Sequence, residues 1–473
     1  MKNLMKSDEN HLVSKRLLEY DVVVIGGGPA GLVTATELTA AGAHVALVDE
    51  SSVLGGQYYK RRQGAILEQF GDYRKKGSEL VALAENGGTS ILTSRVVWGI
   101  SKSGELLTSG TACADHVRIR ATAVVIATGA YEHSIPFPGW EMPGVVTPGH
   151  AHHLAMADRV PVGERVLVAG SGPFLLPVAC ALLDVGVDVV AIVESGRPYR
   201  LTLGSMRALR YPGALVELAG YVKTLVKHRV KLLQGAYVSS AAGTHLVQTV
   251  DVVGRNGATR RFEVDALAVA HGFRPSTELC DLYGLTTVED PVSGALVPAA
   301  DEFGRTSERG IYVAGETRGI AGNIAARSEG QLVSDAIRVQ LGLTERPLRA
   351  RKQSLRLARR MRNFSVLATK IYKSTAQDST LYEFPSETIV CRCEAVTAGE
   401  IRATAALGGA DRHSTKAETR AGMGPCQGRE CGVTVGKLLQ QCGVDRPIGE
   451  THARMPVKPI SINGLLPTKL KDR

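Results

Sequence analysis

Four cysteines near the end of the chain have the residue type and spacing of a metal centre. Cys391 and Cys393 form a Cys-x-Cys pair, and Cys426 and Cys431 follow after 32 further residues. Half of the eight cysteines therefore fall within 41 residues. This arrangement predicts a tetrathiolate centre. Thiolates bind iron–sulfur clusters and zinc alike, so the residues alone leave both metals open.

The residues around these thiols favour an anionic centre. Cys431 is predicted to begin a helix that ends at Gln441, whose dipole would favour the thiolate form. A second helix, 398–406, is predicted to begin at a Thr397–Glu400 capping box. Positive charge that could offset a cluster comes from Lys416, Arg420 and Arg429. Room for backbone N–H groups beside inorganic sulfur comes from Gly422, Gly424, Gly428 and Gly432.

The elements near the start of the chain predict a nucleotide-binding βαβ unit. A buried strand, 21–25, leads into G-x-G-x-x-G, and a helix follows that ends at Gly42. The next strand, 44–48, ends at two acids, where a ribose hydroxyl would lie. A pyrophosphate would be held by the glycines and by the N-terminus of the helix. The candidate residues are Gly26, Gly28, Pro29, Ala30, Gly31, Asp49 and Glu50.

A second, less complete unit begins at residue 165. Its loop contains Gly170 and Gly172, but Leu175 replaces the third glycine, so we expect a displaced loop. A helix over 176–184 and a strand over 187–193 follow, and the strand ends at Glu194. Glu194 favours NAD over NADP, although Arg197 weakens that preference. A working nicotinamide site and a Rossmann-shaped domain without one both remain open.

Three further segments predict that the first unit is split around the second. A strand over 124–130 closes the first part, and a similar strand over 266–272 closes the second unit. A strand at 310–314 then ends in an acid that could accept a hydrogen bond from a ribityl chain, before a helix to about residue 341. The candidate flavin-contacting residues here are Ala127, Thr128, Gly129, Gly315, Glu316 and Gly322.

Over residues 20–342 the chain resembles the two-dinucleotide-binding flavoproteins, the group of thioredoxin reductase and glutathione reductase. The motifs are GGGPAG at 26–31, ATG at 127–129, GSG at 170–172 and VAGE at 313–316. The resemblance implies FAD in the first unit, with Glu316 where the group often has Asp. We do not expect a redox dithiol, because 55–57 reads Gly-Gly-Gln and Cys180 stands alone.

The C-terminal cysteine segment resembles the bacterioferritin-associated-ferredoxin type of [2Fe–2S] module. With Gly55-Gly56-Gln57 and the segments 136–144 and 315–322, it is similar to the α subunits of heteromeric amine and amino-acid oxidases and dehydrogenases. The resemblance implies FAD, a [2Fe–2S] cluster on the four cysteines, and flavin contacts from Gly56 and Gln57. It further implies an FAD-dependent, D-amino-acid-oxidase-like β subunit that oxidises the amine, and leaves open a ferredoxin-like γ subunit and an interfacial FMN.

The distribution of charge along the chain argues against nucleic-acid binding. The net charge is +10, and the segment 346–373 contains ten Lys and Arg but no Asp or Glu. Apolar residues at near-helical spacing predict an amphipathic linker helix with a solvated basic face. An acidic partner or an anionic membrane surface could also dock there. The chain has no run of 18 apolar residues, so we expect no membrane span. We interpret residues 1–19 as a loose leader and expect a cytoplasmic protein.

These observations predict an α/β protein with two Rossmann-like units and a small [2Fe–2S] domain. The expected segments are an FAD-binding domain at 20–150 and 276–345, an inserted NAD(P)-like domain at 151–275, a basic helical linker at 346–385, a [2Fe–2S] domain at 386–450 and an extended tail at 451–473. We expect an electron-transfer subunit of an amine or amino-acid dehydrogenase or oxidase. A self-sufficient NAD(P)H:acceptor oxidoreductase and a non-catalytic subunit holding nucleotide and zinc remain alternatives. We interpret His150, His152 and His153 mainly as surface or interface residues, and a role lining the flavin face remains open.

Overall fold

The computed structural model of the chain describes residues 16–59, 72–111, 115–196, 207–372, 379–406, 411–444 and 453–461. The strands are β1 (Leu17–Ile25), β2 (Val45–Val48), β3 (Ser90–Leu92), β4 (Arg95–Ile100), β5 (Leu106–Gly110), β6 (His116–Ile126), β7 (Ala130–Glu132), β8 (Val145–Val146), β9 (Arg165–Gly170), β10 (Asp188–Glu194), β11 (Lys231–Gln234), β12 (Ala236–Ala242), β13 (Thr249–Gly254), β14 (Thr259–Glu263), β15 (Ala266–Ala270), β16 (Phe273–Pro275), β17 (Thr287–Glu289), β18 (Leu296–Pro298), β19 (Ile311–Val313), β20 (Ile389–Cys391) and β21 (Val396–Thr397). The α-helices are α1 (Pro29–Ala40), α2 (Asp72–Asn86), α3 (Pro148–His153), α4 (Leu175–Asp184), α5 (Pro212–Lys227), α6 (Glu278–Leu282), α7 (Asn323–Gln340), α8 (Leu348–Tyr372), α9 (Ala398–Ala406), α10 (Arg412–Thr419) and α11 (Gly432–Gln441).

The first sheet has seven strands and is built from two distant parts of the chain. Its order is β3-β2-β1-β6-β5-β4, and β19 pairs in parallel with β6. This confirms the predicted split of the first unit. β1 begins earlier than the sequence suggested, because Leu17–Tyr20 pair with Arg118–Ala121 of β6. Residues 17–19 are therefore part of the sheet and not of a loose leader, whereas residues 1–15 lie outside the described ranges.

The second sheet, inserted between the two parts of the first, has five parallel strands in the order β11-β10-β9-β15-β8. A three-stranded antiparallel sheet, β12-β13-β14, follows β11. The two units are joined by an antiparallel pair of short strands, β7 and β16, in which Glu132 lies opposite Phe273. Because β7 begins directly after Gly129, the predicted flavin loop leads straight into this junction.

Helix α1 is held against the first sheet by apolar burial and by contact with α7. Leu32 and Leu38 are completely buried, which stabilises each by roughly 1.5–3 kcal/mol relative to exposure. The hydroxyl of Thr34 donates to the carbonyl oxygens of Ala30 and Gly330. A Cβ at Gly330 would lie 2.5 Å from the Ala30 oxygen, so only glycine allows α7 to approach so closely. This contact fixes the N-terminal end of α1.

Helix α8 occupies most of the segment predicted as a linker helix, but its basic side chains are not simply solvated. Arg362 forms an ion pair with the buried carboxylate of Glu329 at 2.6 Å. Arg359 bonds Glu302, and Arg346 lies 3.6 Å from the buried Asp335. The prediction of a solvated basic face was therefore wrong for Arg346 and Arg362, because buried acids of the flavin-type unit lie against them. Arg359 agrees with it, since its side chain is 60% exposed. Positions such as Arg349 and Arg356 remain exposed.

The small C-terminal domain has its own apolar core, which the larger domain completes. Tyr382, Val390, Ile401 and Leu438 are fully buried in this core, and Ile135 from the segment after β7 packs among them. Helix α9 has the predicted bounds. Its capping box is also as predicted, since the Glu400 carboxylate accepts the Thr397 N–H at 2.8 Å and the Thr397 hydroxyl accepts the Glu400 N–H at 3.3 Å. Within the described ranges, no helix has the length and apolar character needed to cross a bilayer.

Candidate functional site

The four predicted cysteine ligands come from two hairpin positions, a loop and a helix start. Cys391 ends β20, and Cys393 follows in the turn towards β21. Cys426 lies in the loop between α10 and α11, and Cys431 is the N-cap residue of α11. Cys391 and Cys431 are almost fully buried, whereas Cys393 is exposed and Cys426 is half-buried. The site therefore lies at the edge of the domain core.

The four thiols are neighbours of one another. Cys393 lies near both Cys426 and Cys391, and Cys431 lies near both Cys391 and Cys426, and each of these neighbours raises its pKa. In the part of the chain that the structure describes, no group of three or more His, Cys, Asp or Glu side chains is placed to hold a metal ion. Four thiolates shared between two irons are the ligand set of a [2Fe–2S] cluster. The structure thus brings the four predicted ligands into one neighbourhood.

The glycines of the loop leave space beside the thiols. A Cβ at Gly424 would collide with the Cβ of Cys393. A Cβ at Gly422 would lie 4.0 Å from the Sγ of Cys431 and 3.5 Å from the Cα of Gly428. Gly422 and Gly428 also have positive φ angles, which side-chain-bearing residues rarely adopt. The donor set and the space around it fit a [2Fe–2S] cluster.

Burial opposes the effect that the helix dipole was expected to have on the pKa of Cys431. Burial raises the pKa of the Cys431 thiol, and the neighbouring Cys391 and Cys426 raise it further. Burial likewise raises the pKa of Cys393. Desolvation of a thiolate costs more here than the dipole of a ten-residue helix returns. Metal binding must therefore displace protons from these thiols.

Two of the three cations predicted to offset the charge of a cluster are engaged elsewhere. The Nε of Arg420 lies 2.7 Å from a carboxylate oxygen of Glu394. The Nε of Arg429 lies 2.6 Å from a carboxylate oxygen of Glu278, which belongs to α6 of the flavin-type unit. The prediction that both arginines balance the charge of a cluster was therefore too simple, because each is already paired with an acid.

The first glycine loop has the close backbone contacts that a pyrophosphate site requires. A Cβ at Gly31 would collide with the carbonyl oxygen of Gly26, and a Cβ at Gly26 would collide with that of Ala127. Gly28 is the N-cap residue of α1, and Pro29 is its first residue. Glycine at 26 and 31 is therefore needed by the fold itself, and the loop brings Ala127 to the same edge of the sheet.

A second glycine turn lies directly on the first. A Cβ at Gly56 would lie 2.7 Å from the Cα of Gly28, and Gly56 has a φ of +58°. Gln57 beside it is exposed. The Gly55–Gln57 segment, predicted from the family resemblance to contact the flavin, thus borders the loop that would hold the pyrophosphate.

Of the two acids at the end of β2, one is used by the protein itself. Asp49 accepts hydrogen bonds from the backbone N–H of Gly27 at 2.5 Å and of Ser51 at 2.7 Å. Burial raises the pKa of Asp49. Glu50 is exposed and pairs with Lys458 at 2.7 Å. Asp49 therefore shapes the loop, and Glu50 is the acid that faces outward at this edge.

Residues that sequence reasoning missed bring the remaining flavin candidates together. The hydroxyl of Thr317 accepts the Gly129 N–H at 2.9 Å, while the Thr128 hydroxyl donates to the Ser276 carbonyl at 2.7 Å. The buried Glu329 accepts the Gly315 N–H at 3.0 Å. Thr317 stands beside the predicted Glu316, but Glu329 lies 14 residues beyond Gly315 and had no motif to mark it.

Glu316 faces the start of α7. Its carboxylate accepts the backbone N–H of Gly322 at 3.3 Å, and burial raises its pKa. Gly322 is the N-cap residue of α7 and has a φ of +80°. A Cβ at Gly315 would lie 2.9 Å from the Cβ of Ala30, so this segment lies against the start of α1. The predicted flavin residues from the two ends of the split unit therefore converge.

The second unit differs from the first in its nucleotide loop, where Leu175 replaces the third glycine. Helix α1 begins three positions after Gly26, whereas α4 begins five positions after Gly170. Leu175 is buried in the core and Phe174 serves as the N-cap residue. Gly170 still lies against the carbonyl oxygen of Ala270. The helix N-terminus, which would offer N–H groups to a pyrophosphate, is thus displaced along the chain.

Glu194 is buried and accepts two hydrogen bonds. Its carboxylate oxygens receive the N–H of Gly172 at 3.0 Å and that of Gly196 at 2.8 Å. Burial raises the pKa of Glu194 to about 7. The carbonyl oxygen of Tyr372, at the end of α8, occupies the place where a Cβ of Gly196 would lie. The acid end of this unit is therefore covered by the linker helix. Arg197 lies outside the described residues.

The buried carboxyl of Glu194 predicts a pH-dependent stability. Because its folded-state pKa of about 7 exceeds its usual 4.5, the folded protein binds this proton more tightly than the unfolded chain. Stability is then lost as the pH rises from 4.5 through about 7, by an amount on the order of 3 kcal/mol. We expect thermal unfolding of Glu194→Gln to lose this part of the pH dependence. In Glu263→Gln, which changes an exposed acid of the same unit, the wild-type pH dependence should remain.

The two candidate sites are joined by direct contacts. Nε2 of His133 lies 3.2 Å from the hydroxyl of Tyr382, and Nε1 of Trp140 donates to the Ile389 carbonyl at 2.6 Å. The guanidinium of Arg392, between two of the cysteines, lies over the Trp140 ring at 5.0 Å. Burial lowers the pKa of His133 to about 3. Hydrogen bonds and a cation–π contact therefore link the segment after Gly129 to the cysteine domain.

The three histidines of α3 are exposed or half-buried. His150 is exposed on α3, His152 packs at 5.6 Å between ring centres against Phe174, and His153 lies 3.8 Å from Asp158. These positions agree with the interpretation of surface and interface residues.

Comparison with known proteins identifies both parts of the chain. Residues 20–338 match the pyridine nucleotide-disulphide oxidoreductase family, and residues 389–441 match the BFD-like [2Fe-2S] binding domain. These matches confirm the resemblance predicted from the glycine and cysteine motifs. They also confirm the predicted α/β fold class with a C-terminal [2Fe-2S] domain.

Relatives are similar along nearly the whole chain. The opine oxidase A subunit of Rhizobium meliloti is 31% identical over 459 residues, which cover 94% of this chain and 86% of that protein. The hydrogen cyanide synthase subunit HcnB of Pseudomonas protegens is 30% identical over 467 residues, 95% and 98% of the two chains. L-Proline dehydrogenase from P. horikoshii shares the fold, with a TM-score of 0.67 and 24% identity over 95% of this chain and 80% of that one.

Proposed function

This chain belongs to the pyridine nucleotide-disulphide oxidoreductase family and carries a BFD-like [2Fe-2S] binding domain, and we propose that it is the FAD- and [2Fe–2S]-bearing electron-transfer subunit of a heteromeric amine or amino-acid dehydrogenase or oxidase. The relatives that it resembles over most of their length are named as subunits of an opine oxidase and of a hydrogen cyanide synthase. The chain is an oxidoreductase of the same architecture.

One observation carries this proposal: the cysteine domain is docked on the segment that directly follows the flavin loop. Gly129 precedes β7, and His133 and Ile135, just after β7, contact Tyr382 and the core of the cysteine domain. FAD supplies one- and two-electron chemistry, and a [2Fe–2S] cluster carries single electrons. A chain that holds both at such a junction is suited to electron transfer.

The residues that would hold FAD divide into three groups. Gly26, Gly28 and the start of α1 would bind the pyrophosphate through backbone N–H groups. Glu50 at the end of β2 would meet the ribose, while Asp49 keeps the loop in shape. Glu316 and the N-terminus of α7 would bind the ribityl chain and the ring. Cys391, Cys393, Cys426 and Cys431 would hold the cluster.

Substrate oxidation is proposed to take place on a partner subunit. We propose an FAD-dependent, D-amino-acid-oxidase-like β subunit that oxidises an opine, D-hydroxyproline, sarcosine or glycine-type substrate in the cytoplasm. A small ferredoxin-like γ subunit and an FMN at the subunit interface are compatible with this arrangement. The names of the relatives, each a subunit of a larger enzyme, support the need for a partner.

A self-sufficient NAD(P)H:acceptor oxidoreductase is a second candidate, because Gly170, Gly172 and Glu194 form a recognisable nucleotide turn. Two features count against it. The N-terminus of α4 is displaced, and the end of α8 lies against Gly196.

The experiment is an anaerobic substrate titration of the chain with and without its partner. The chain is purified alone and together with the D-amino-acid-oxidase-like protein encoded in the same genome, and each candidate amine is added without oxygen. We expect bleaching of flavin and cluster absorbance in the complex only. Bleaching of the chain alone by an amine would contradict a separate substrate-oxidising subunit. Zinc without iron in the purified chain would instead support a non-catalytic partner.

A further inference from the structure

Arg429 lies between two of the cluster cysteines and reaches out of its own domain. It stands three residues after Cys426 and two before Cys431. Its Nε pairs at 2.6 Å with Glu278, the first residue of α6 in the flavin-type unit. The side chains of Arg429 and Glu278 are only 15% and 28% exposed, so this ion pair is shielded from solvent more than a surface pair.

The other two nitrogens of the same guanidinium bind two further segments. One Nη donates to the carbonyl oxygen of Cys426 at 3.2 Å, and the other donates to that of Val457 at 3.0 Å. The planar fork thus joins the cluster loop, the flavin-type unit and the C-terminal segment at one point. A lysine ammonium, which is a point charge, cannot reproduce this three-way geometry.

The C-terminal segment 453–461 is itself anchored on the flavin-type unit. The N–H of Val457 donates to the Trp98 carbonyl at 2.9 Å, and its side chain is buried in the core of the first sheet. The N–H of Ala453 donates to Asp281 of α6. Lys458 pairs with Glu50, at the edge where the ribose of FAD would lie. Arg429 is therefore linked to the first sheet by two routes, through α6, which packs on the sheet, and through this segment.

We propose that Arg429 is a positioning residue, which fixes the cluster loop in a set orientation to the flavin-type unit. The inference rests on the proposed function, since it concerns electron transfer between the two cofactors. Arg420 provides the contrast. It lies at the start of the same loop, but it pairs with Glu394 inside the small domain, and its side chain is 65% exposed. The interdomain role belongs to Arg429 and not to basic residues of the loop in general.

The test compares Arg429→Lys and Arg429→Gln with Arg420→Gln in the full-length chain. FAD and iron per chain are measured first, and then the rate of cluster reduction after flash photoreduction of the bound flavin. We expect wild-type cofactor contents in all three variants. Reduction should slow about tenfold or more in both Arg429 variants, because small losses of positioning have large effects on rate. Arg420→Gln should stay within about twofold of the wild type, the effect expected of an exposed pair.

A second measurement separates failure of this inference from failure of the proposed function. Hydrogen exchange of the protein as purified, with or without cofactors, should speed up in residues 426–431 and 453–461 of both Arg429 variants, and of Glu278→Gln. Glu278→Gln also keeps the inference testable if an Arg429 variant does not fold. If hydrogen exchange speeds up in the variants but the rate of cluster reduction does not fall, the positioning role is overturned. A wild-type rate of cluster reduction in Arg429→Lys would overturn it as well. If the purified wild-type chain contains neither flavin nor iron, the proposed function is overturned. If the Arg429 variants exchange hydrogen at the wild-type rate, the inference about Arg429 is overturned, whether or not cofactors are bound.

Discussion

Replacement of Cys431 by serine is expected to abolish the [2Fe–2S] cluster while FAD binding persists. Cys431 is buried, is the N-cap residue of α11 and lies next to Cys391 and Cys426, so its loss removes one of four neighbouring thiols. A serine oxygen is a harder ligand than a thiolate and is a poor substitute in an iron–sulfur site. Iron, acid-labile sulfide and the electron paramagnetic resonance signal of the reduced protein should be lost together.

The matched control is Cys442→Ser, at the opposite end of the same helix. Cys442 is an exposed, free cysteine at the C-cap position of α11 and is not one of the four predicted ligands. This variant should retain the iron and sulfide content of the wild type. Full iron content in Cys431→Ser would contradict the ligand assignment, as would equal loss from both variants.

Replacement of Gly28 by alanine is expected to weaken FAD binding without disturbing the protein around it. Gly28 has an ordinary φ of −76°, and a Cβ there would meet only the Cα of Gly56, at 3.9 Å. The second glycine of this motif leaves room for the pyrophosphate, so the added methyl group should obstruct the ligand alone. We expect FAD affinity to fall roughly a hundredfold, or about 2.8 kcal/mol. Fluorescence titration of the apoprotein with FAD measures this change.

Two further glycine variants give this prediction its controls. Gly31→Ala places its Cβ against the Gly26 carbonyl and should destabilise the fold as well as FAD binding. Gly220→Ala, on the exposed helix α5, has no atom within 4 Å of its Cβ and should leave FAD affinity unchanged. Undiminished FAD affinity in Gly28→Ala would remove the first glycine loop from the proposed site.

The parts of the fold that the sequence predicts best are those set by local pattern. The strand, glycine loop and helix at 21–42 are a continuous signal, since apolar runs, G-x-G-x-x-G and a terminal glycine all agree. Helix α9 begins where predicted, because Thr397 and Glu400 are only three residues apart and cap its N-terminus by themselves. The four cysteines were found by spacing alone, and a short hairpin, a loop and one helix start bring them together.

Contacts between distant residues could not be read from the sequence in the same way. Glu329 accepts a hydrogen bond from Gly315 and forms an ion pair with Arg362, yet neither Glu329 nor Arg362 belongs to a motif. The pair of Glu50 and Lys458 spans 408 positions, and only the folded path of residues 453–461 brings the two together. The basic stretch at 346–373 looked solvated, because its acidic partners lie in other elements.

Electrostatics in the cysteine site also depended on burial, which the sequence does not give. From the sequence, Cys431 has a helix N-terminus and three nearby cations, and both would favour a thiolate. In the structure the thiol is buried, two of those cations have other partners, and the pKa is raised. Desolvation of a charged group outweighs a helix dipole when the group is almost fully buried.

The most direct test of the electron-transfer account is an anaerobic visible spectrum of the purified chain before and after addition of NADH. We predict flavin and iron–sulfur absorbance in the untreated chain, and no bleaching by NADH, because α4 begins late and the end of α8 covers Gly196. Rapid bleaching of both bands by NADH would contradict the account and establish the second nucleotide unit as the working electron entry.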